Sequence, residues 1–160
     1  MREERAGSAA RRAIFVGGML AGGLDIAWAC VQTTAQGRQP SRMLQSIASG
    51  VLGSAAYDGG GAAMALGVLL HFTIACGAAV VYFLLGRRWP RIHRHLFVSA
   101  AAFGAGVYLF MQLVVLPLSR VPWKPGFTPL GLSLGLAAHL FCVGLPIAWA
   151  ARRYAESARR

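Results

Sequence analysis

Four long apolar runs constrain this chain more than any other feature of its sequence. They extend over about residues 13–31, 62–85, 96–118 and 129–151. A helix rises 1.5 Å per residue, so about 20 residues cross the roughly 30 Å hydrocarbon core of a bilayer. Lipid offers no water to backbone groups, so each run must be helical. The sequence predicts an all-α membrane protein with one domain over 1–160, four transmembrane helices, and tails at 1–12 and 152–160.

The composition agrees with lipid as the main solvent. Hydrophobic residues make up 56% of the chain and charged residues only 13%, about half the share typical of soluble domains. The net charge of +11 raises the question of nucleic-acid binding, but the basic residues flank the apolar runs. No nucleic-acid-binding motif is present in the sequence. The sequence therefore predicts no nucleic-acid partner.

The distribution of basic residues predicts the orientation. Twelve arginines lie in the two tails and in the loop between the second and third runs: Arg2, Arg5, Arg11, Arg12, Arg87, Arg88, Arg91, Arg94, Arg152, Arg153, Arg159 and Arg160. The opposite side has four basic residues, namely Arg38, Arg42, Arg120 and Lys124. The positive-inside rule then places both termini in the cytoplasm, with anionic lipid headgroups as partners on that face.

The N-terminus also allows a second interpretation, that of a signal peptide. Arg11 and Arg12 precede a short apolar stretch, and residues 27–29 read Ala-Trp-Ala like a cleavage site. Asp25 inside the apolar stretch argues against cleavage. If cleavage occurred, three spans would remain.

The first external loop contains an amphipathic pattern. Ser41 follows Pro40 as a candidate N-cap. Apolar residues then recur at helical spacing (Met43, Leu44, Ile47, Val51, Leu52), with polar residues between them (Arg42, Gln45, Ser46, Ser49). The pattern predicts an amphipathic helix that lies in the outer membrane interface or folds over the bundle as a lid.

Spaced glycines predict close helix packing. Gly18 and Gly22 form a GxxxG pair in the first run, and Gly131 and Gly135 form another in the fourth. Small faces allow helix backbones to approach closely. We expect these glycines to pack within one bundle, and a homodimer contact is the alternative.

Each predicted span carries one strongly polar residue: Asp25, His71, Gln112 and His139. By residue counting they lie at a similar depth, roughly 18 to 24 Å from the cytoplasmic edge, and should face the bundle interior. They form either a hydrogen-bonded network, a proton path or, for Asp25, His71 and His139, a zinc or iron site. The sequence requires no cofactor.

A short similarity links the second and fourth spans. Residues 66–72 and 134–140 both read Leu-Gly-x-x-x-His-apolar. A parallel repeat of two-helix units would place His71 and His139 in equivalent positions. Chance is the alternative, because Leu and Gly are common in this chain.

Several segments resemble a known group of proteins: residues 22–25, 44–50, 114–119 and 139–146. They resemble small bacterial inner-membrane proteins of about this length, and the chain is also similar to the YagU-like inner-membrane proteins. The resemblance implies a bacterial inner-membrane location and four spans. It implies no catalytic residues, because neither group has an assigned activity.

These observations predict a non-enzymatic accessory or transporter-like module with a polar intramembrane core. The alternative is a membrane-embedded metal-binding protein or enzyme that uses Asp25, His71 and His139. A homo-oligomer or a membrane partner protein is compatible with either function.

Overall fold

The computed structural model describes residues 2–123, 126 and 128–157, and over these residues the chain forms helices and short connections. The α-helices are α1 (Arg2–Ala35), α2 (Pro40–Leu52), α3 (Gly60–Arg88), α4 (Leu96–Phe110), α5 (Leu116–Leu118), α6 (Pro129–Ala138) and α7 (Leu145–Ser157). A first π segment, Met111–Val115, joins α4 to α5, and a second, His139–Gly144, joins α6 to α7. Two 3₁₀ turns lie at Gly53–Tyr57 and Pro90–His93.

Within the described residues, four helical stretches are long and apolar enough to cross a membrane. They are Gly7–Ala35, Gly60–Arg88, Leu96–Leu118 and Pro129–Tyr154, with mean hydropathies of 1.8 to 2.2. We call them the first, second, third and fourth long helices. The prediction of an all-α chain with four such helices is confirmed.

Helix continues past the apolar runs into both predicted tails. Helix α1 begins at Arg2, and α7 ends at Ser157. Alanine, arginine and glutamate predominate at both ends, and these residues favour helix. Three of the basic residues that predicted the orientation, Lys124, Arg159 and Arg160, lie outside the described residues.

The main apolar core lies near the end of the bundle where α1 begins and α3 ends, which we call the terminal end. Ala21 of α1 and Ala79 of α3 are buried there with Ala148 of α7. Alanine and glycine allow α1 to approach both α3 and α7, and a Cβ added at Gly17 would touch Ala150. The terminal end is therefore closed by small side chains in close contact.

Helix α2 packs at the other end of the bundle, which we call the α2 end. Its buried side chains are Gln45, Ala48 and Ser49. Of the predicted apolar residues, Met43, Leu44 and Ile47 are partly buried and Val51 and Leu52 are exposed. A helix that covered the bundle as a lid would usually pack its apolar residues inward, but the most buried residues of α2 are small or polar.

The reason for this packing is steric. The backbone of α2 at Leu44 reaches Gly67 of α3 so closely that no Cβ would fit there. The start of α2 also differs from the expectation, since the N-cap residue is Gln39 and not the predicted Ser41.

Two hydrogen bonds extend this packing from α2 to the end of the third long helix. The Arg120 N–H donates to the Gly50 carbonyl at 2.9 Å, and Arg120 Nη1 donates to the Val51 carbonyl at 3.3 Å. Helix α2 thus connects α3 to the segment after α5.

Substitution of Gly67 by valine should detach α2 from α3. The valine Cβ would overlap the Leu44 carbonyl, and a backbone group cannot move away as a side chain can. We expect amide hydrogen exchange in α2 to accelerate at least about tenfold while the long helices stay protected. Gly61→Val is the matched control, since a Cβ at Gly61 meets open space. Equal exchange in the two variants would contradict this account.

Candidate functional site

His71 connects α3 to α1 through the backbone. Its Nε2 lies 2.9 Å from the Gly22 carbonyl oxygen, and its ring meets the Phe72 ring edge-on at 5.6 Å. A carbonyl oxygen only accepts hydrogen bonds, so Nε2 must carry the proton. Phe72 also fills the space beside Gly22, where an added Cβ would overlap its ring. Gly22 therefore has two roles: it allows the helices to pack closely, as predicted, and its carbonyl accepts the hydrogen bond from His71.

Asp25 lies about one helical turn after Gly22 and is half-buried. Its carboxyl group is close enough to the Cys142 thiol of the second π segment for an electrostatic interaction. About one further turn along α1, the indole N–H of Trp28 is buried, and no described residue accepts a hydrogen bond from it. The stretch of α1 from Gly22 to Trp28 therefore carries the carbonyl that binds His71, one carboxyl group and one buried indole N–H.

His139 is held against the third long helix. Its Nδ1 donates to the Gly135 carbonyl at 2.9 Å, and its ring meets the Tyr108 ring edge-on at 5.2 Å. A Cβ at Gly135 would overlap Tyr108, so that glycine lets the ring approach the helix. His139 opens the second π segment, and Gln112, one turn after Tyr108, lies in the first. π segments widen a helix locally and are frequent at functional sites.

No hydrogen bond joins any two of the four described polar residues. His71 contacts α1 one turn from Asp25, and His139 contacts Tyr108 one turn from Gln112. His71 and His139 each bond a backbone carbonyl.

Within the described part of the chain, no group of three or more His, Cys, Asp or Glu side chains is placed to hold a metal ion. Asp25, His71 and His139 are all described, so the structure does not assemble the ligand set that the sequence suggested for zinc or iron.

Three of the four predicted packing glycines lie at helix contacts. A Cβ at Gly18 would overlap Cys76 of α3, and Gly22 and Gly135 adjoin aromatic rings, as described above. Gly131 lies in the exposed first turn of α6, where the nearest atom is the Thr128 hydroxyl oxygen that caps this helix. The closest approaches also involve glycines that belong to no GxxxG pair: Gly67, Gly104 and Gly144.

The expected repeat is partly visible. Gly67 and Gly135 are both sites of close approach, four residues before His71 and His139. The histidines differ, since His71 bonds a neighbouring helix through Nε2 and His139 bonds its own helix through Nδ1. The fourth long helix also changes to π geometry at its histidine, whereas α3 stays α-helical.

A large apolar groove separates α3 from α4. Its volume is about 820 Å³. Its lining extends from Ile74 to Leu85 along α3, through Trp89 and Ile92 of the connection, and from Ser99 to Val115 along the third long helix. The two helices meet near the terminal end, where Tyr82 is 2% exposed and its hydroxyl lies 3.0 Å from the Ser99 hydroxyl. No sequence pattern predicted this groove, because helices joined by a short loop usually pack along their length.

A smaller polar pocket of about 450 Å³ lies at the α2 end. Its lining includes Arg38, Arg42, Tyr57 and Trp123. Arg42 is held in place, since its Nη1 donates to the Tyr57 carbonyl at 3.0 Å and its guanidinium lies 5.8 Å from the Tyr57 ring centroid. The pocket therefore presents two cations and two aromatic rings at the end opposite the termini.

The turn beside this pocket is also well defined. Gly37 has φ of +71°, which glycine adopts without steric penalty. The N–H groups of Gly37 and Arg38 donate to the carbonyls of Thr34 and Thr33, each at 2.9 Å, in the pattern of a Schellman motif. The motif ends α1 and fixes the backbone that carries Arg38.

No protein-family model, curated protein or solved structure matches this chain. The resemblance to small bacterial inner-membrane proteins and to the YagU-like group stays a prediction.

Proposed function

We propose that this protein is a non-enzymatic accessory module of the bacterial inner membrane, in which both termini lie in the cytoplasm and the polar residues fasten the helices together. The observation that carries the proposal is the His71–Gly22 hydrogen bond, which joins α3 to α1 at 2.9 Å. The arginine distribution supports the orientation. In this orientation the terminal end is cytoplasmic, and α2 lies at the outer face.

The hydrogen bonds favour fastening over conduction. His71 and His139 each already donate a ring N–H to a backbone carbonyl, so releasing that proton would break the bond that holds the ring, and for His71 this bond joins α3 to α1. Toward the terminal end the interior is filled by Ala21, Ala79 and Ala148, all almost fully buried. A polar path would have to cross this apolar packing.

A transporter-like module is the second candidate, and specific observations favour it. The buried Trp28 N–H near Asp25 has no acceptor among the described residues, and an unsatisfied donor in an apolar interior is costly. The polar pocket with Arg38 and Arg42 lies at the α2 end, toward which this part of α1 leads. A small polar solute that entered there would supply the missing acceptor.

Replacement of the histidines separates these candidates. We expect His71→Ala to lower the melting temperature in detergent by about 5 °C, because it removes an interhelical hydrogen bond and leaves a void. His139→Ala should act similarly through Tyr108. His95→Ala, at an exposed position before α4, is the matched control and should leave the melting temperature unchanged.

The same variants are then reconstituted in liposomes for a proton-flux assay. The accessory function predicts wild-type flux at background level and no change in any variant. Flux above background that His71→Ala abolishes, in a protein that melts like the wild type, would refute the accessory proposal and support the transporter-like one.

A further inference from the structure

We propose that the groove between α3 and α4 is a binding site for an anionic phospholipid, with an acyl chain along the groove and the phosphate at Arg88 and Arg91. The proposal rests on the orientation proposed above, in which the terminal end faces the cytoplasm. It assigns a specific ligand site to a surface that the polar core does not use.

The lining of the groove selects an apolar occupant. It includes Gly77 and Gly106, beside which an added Cβ would meet only open space. Tyr82 and Ser99 are polar residues of the lining, and their hydroxyls are bonded to each other at 3.0 Å. A water cluster would find few other partners, and an empty groove would forfeit dispersion contacts along its walls. An acyl chain needs no hydrogen-bond partners and makes dispersion contacts with the walls of the groove.

The charge at one end of the groove selects an anionic headgroup. Trp89 lines that end, and the Arg88 guanidinium lies 5.5 Å from the Trp89 ring centroid. Arg91 precedes Ile92, another lining residue. The connecting segment 87–95 contains four arginines and no acidic residue. Basic pockets between transmembrane helices on the cytoplasmic side bind anionic lipid headgroups.

The arrangement also distinguishes a lipid from a helix of another chain. The groove follows the chain from Ile74 of α3 to Trp89 just after it, which is roughly 22 Å at the rise of a helix. Arg88 and Arg91, the chain neighbours of the lining residues Trp89 and Ile92, lie at the terminal end only. A phospholipid has this asymmetry, with a charged group at the interface and a long apolar tail. A helix of a partner or a second copy would not require arginines at one end only.

Native mass spectrometry of the detergent-solubilised full chain tests the proposal. The protein is mixed with equimolar dioleoyl-phosphatidylglycerol and dioleoyl-phosphatidylcholine, and the retained lipids are counted. We expect preferential retention of one phosphatidylglycerol. Gly77→Leu/Gly106→Leu should fill the groove and lower retention about tenfold. Gly23→Leu is the matched control, because a Cβ at Gly23 also meets open space and Gly23 is absent from the groove lining.

The arginines are tested separately. Arg88→Gln/Arg91→Gln should lower phosphatidylglycerol retention about tenfold, since each basic group near the surface contributes roughly fivefold and the two effects overlap. Phosphatidylcholine retention should not change. Arg11→Gln/Arg12→Gln removes the same charge from exposed positions of α1 and should retain phosphatidylglycerol like the wild type.

Several outcomes would overturn the proposal. Undiminished phosphatidylglycerol retention in Gly77→Leu/Gly106→Leu would place the lipid elsewhere, and an equal loss in Arg11→Gln/Arg12→Gln would indicate general surface charge. A dimer that is lost when the groove is filled would assign the groove to a second copy.

Circular dichroism confirms folding of each variant, and Gly106→Leu alone replaces the double variant if that one misfolds. His71→Ala, which tests the accessory proposal, should still retain phosphatidylglycerol. Failure of the accessory proposal can therefore be distinguished from failure of the lipid proposal.

Discussion

Substitution of Gly104 by valine should destabilise the protein more than any other single change described above. A Cβ at Gly104 would overlap the His139 carbonyl, and a Cβ at Gly144 would overlap the Ala100 carbonyl, so the third and fourth long helices are in reciprocal backbone contact. Valine would force these helices apart along their whole contact. We expect a loss of at least about 3 kcal/mol, or a fall in melting temperature of roughly 10 °C, by thermal unfolding in detergent.

The chain supplies a matched control two residues away. A Cβ at Gly106 meets open space, so Gly106→Val adds the same side chain to the same helix without a clash. It should melt within about 2 °C of the wild type, since surface substitutions usually change stability by less than about 0.5 kcal/mol. If Gly104→Val and Gly106→Val melted alike, the close approach at Gly104 would be wrong.

Tyr82→Ala should have the second largest effect. The side chain is 2% exposed, contacts the rings of His93 and Phe103 edge-on, and bonds the Ser99 hydroxyl. Its removal leaves a large void where α3 meets α4, and truncation of a buried aromatic residue typically costs about 3 to 5 kcal/mol. We expect a fall in melting temperature of roughly 10 °C in the same assay.

Two further variants divide this effect into its parts. Tyr82→Phe keeps the ring and removes only the hydrogen bond to Ser99, so it should cost about 1 kcal/mol. Leu84→Ala truncates a side chain that is 53% exposed two residues later and should cost less than Tyr82→Ala. A phenylalanine variant as unstable as the alanine variant would show that the hydroxyl, not the ring, joins the two helices.

The sequence predicted the long helices well because their length and apolarity are properties of each segment alone. The span over 96–118 coincides with the structure at both ends, from Leu96 to Leu118. At the chain ends the prediction followed hydropathy, which marks where the apolar run stops. Helix formation continues beyond that limit, because polar and small residues extend a helix that the apolar run has already nucleated.

The packing face of α2 was not predictable from amphipathicity. The usual assumption places the apolar side of a helix inward, as it is in a protein surrounded by water. Here Val51 and Leu52 are exposed and Ser49 is fully buried. Close approach of two helix backbones selects small side chains at the contact. Only the spatial proximity of Gly67 reveals which side is in contact.

The polar residues were easier to single out than their partners. His71 and His139 lie at contacts between helices, as their cost in lipid implies. Their hydrogen bonds could not be foreseen, since backbone carbonyls carry no sequence signal. The groove between α3 and α4 was missed for a similar reason: Gly77 and Gly106 look in the sequence like packed glycines, and only the structure distinguishes them.

The two π segments have a consequence for how such a chain tolerates changes in length. A π turn contains more residues than an α turn, so the side chains after Val115 and after Gly144 are rotated relative to a continuous α-helix. Each segment thus accommodates one residue more than an α-helix of the same length, while the ends of the helix stay in place. Loss of a single residue there would restore ordinary winding, and the remainder of the third or fourth long helix would turn to present a different face. Related chains would then be expected to vary in length by one residue at these two points, within the long helices rather than in the loops.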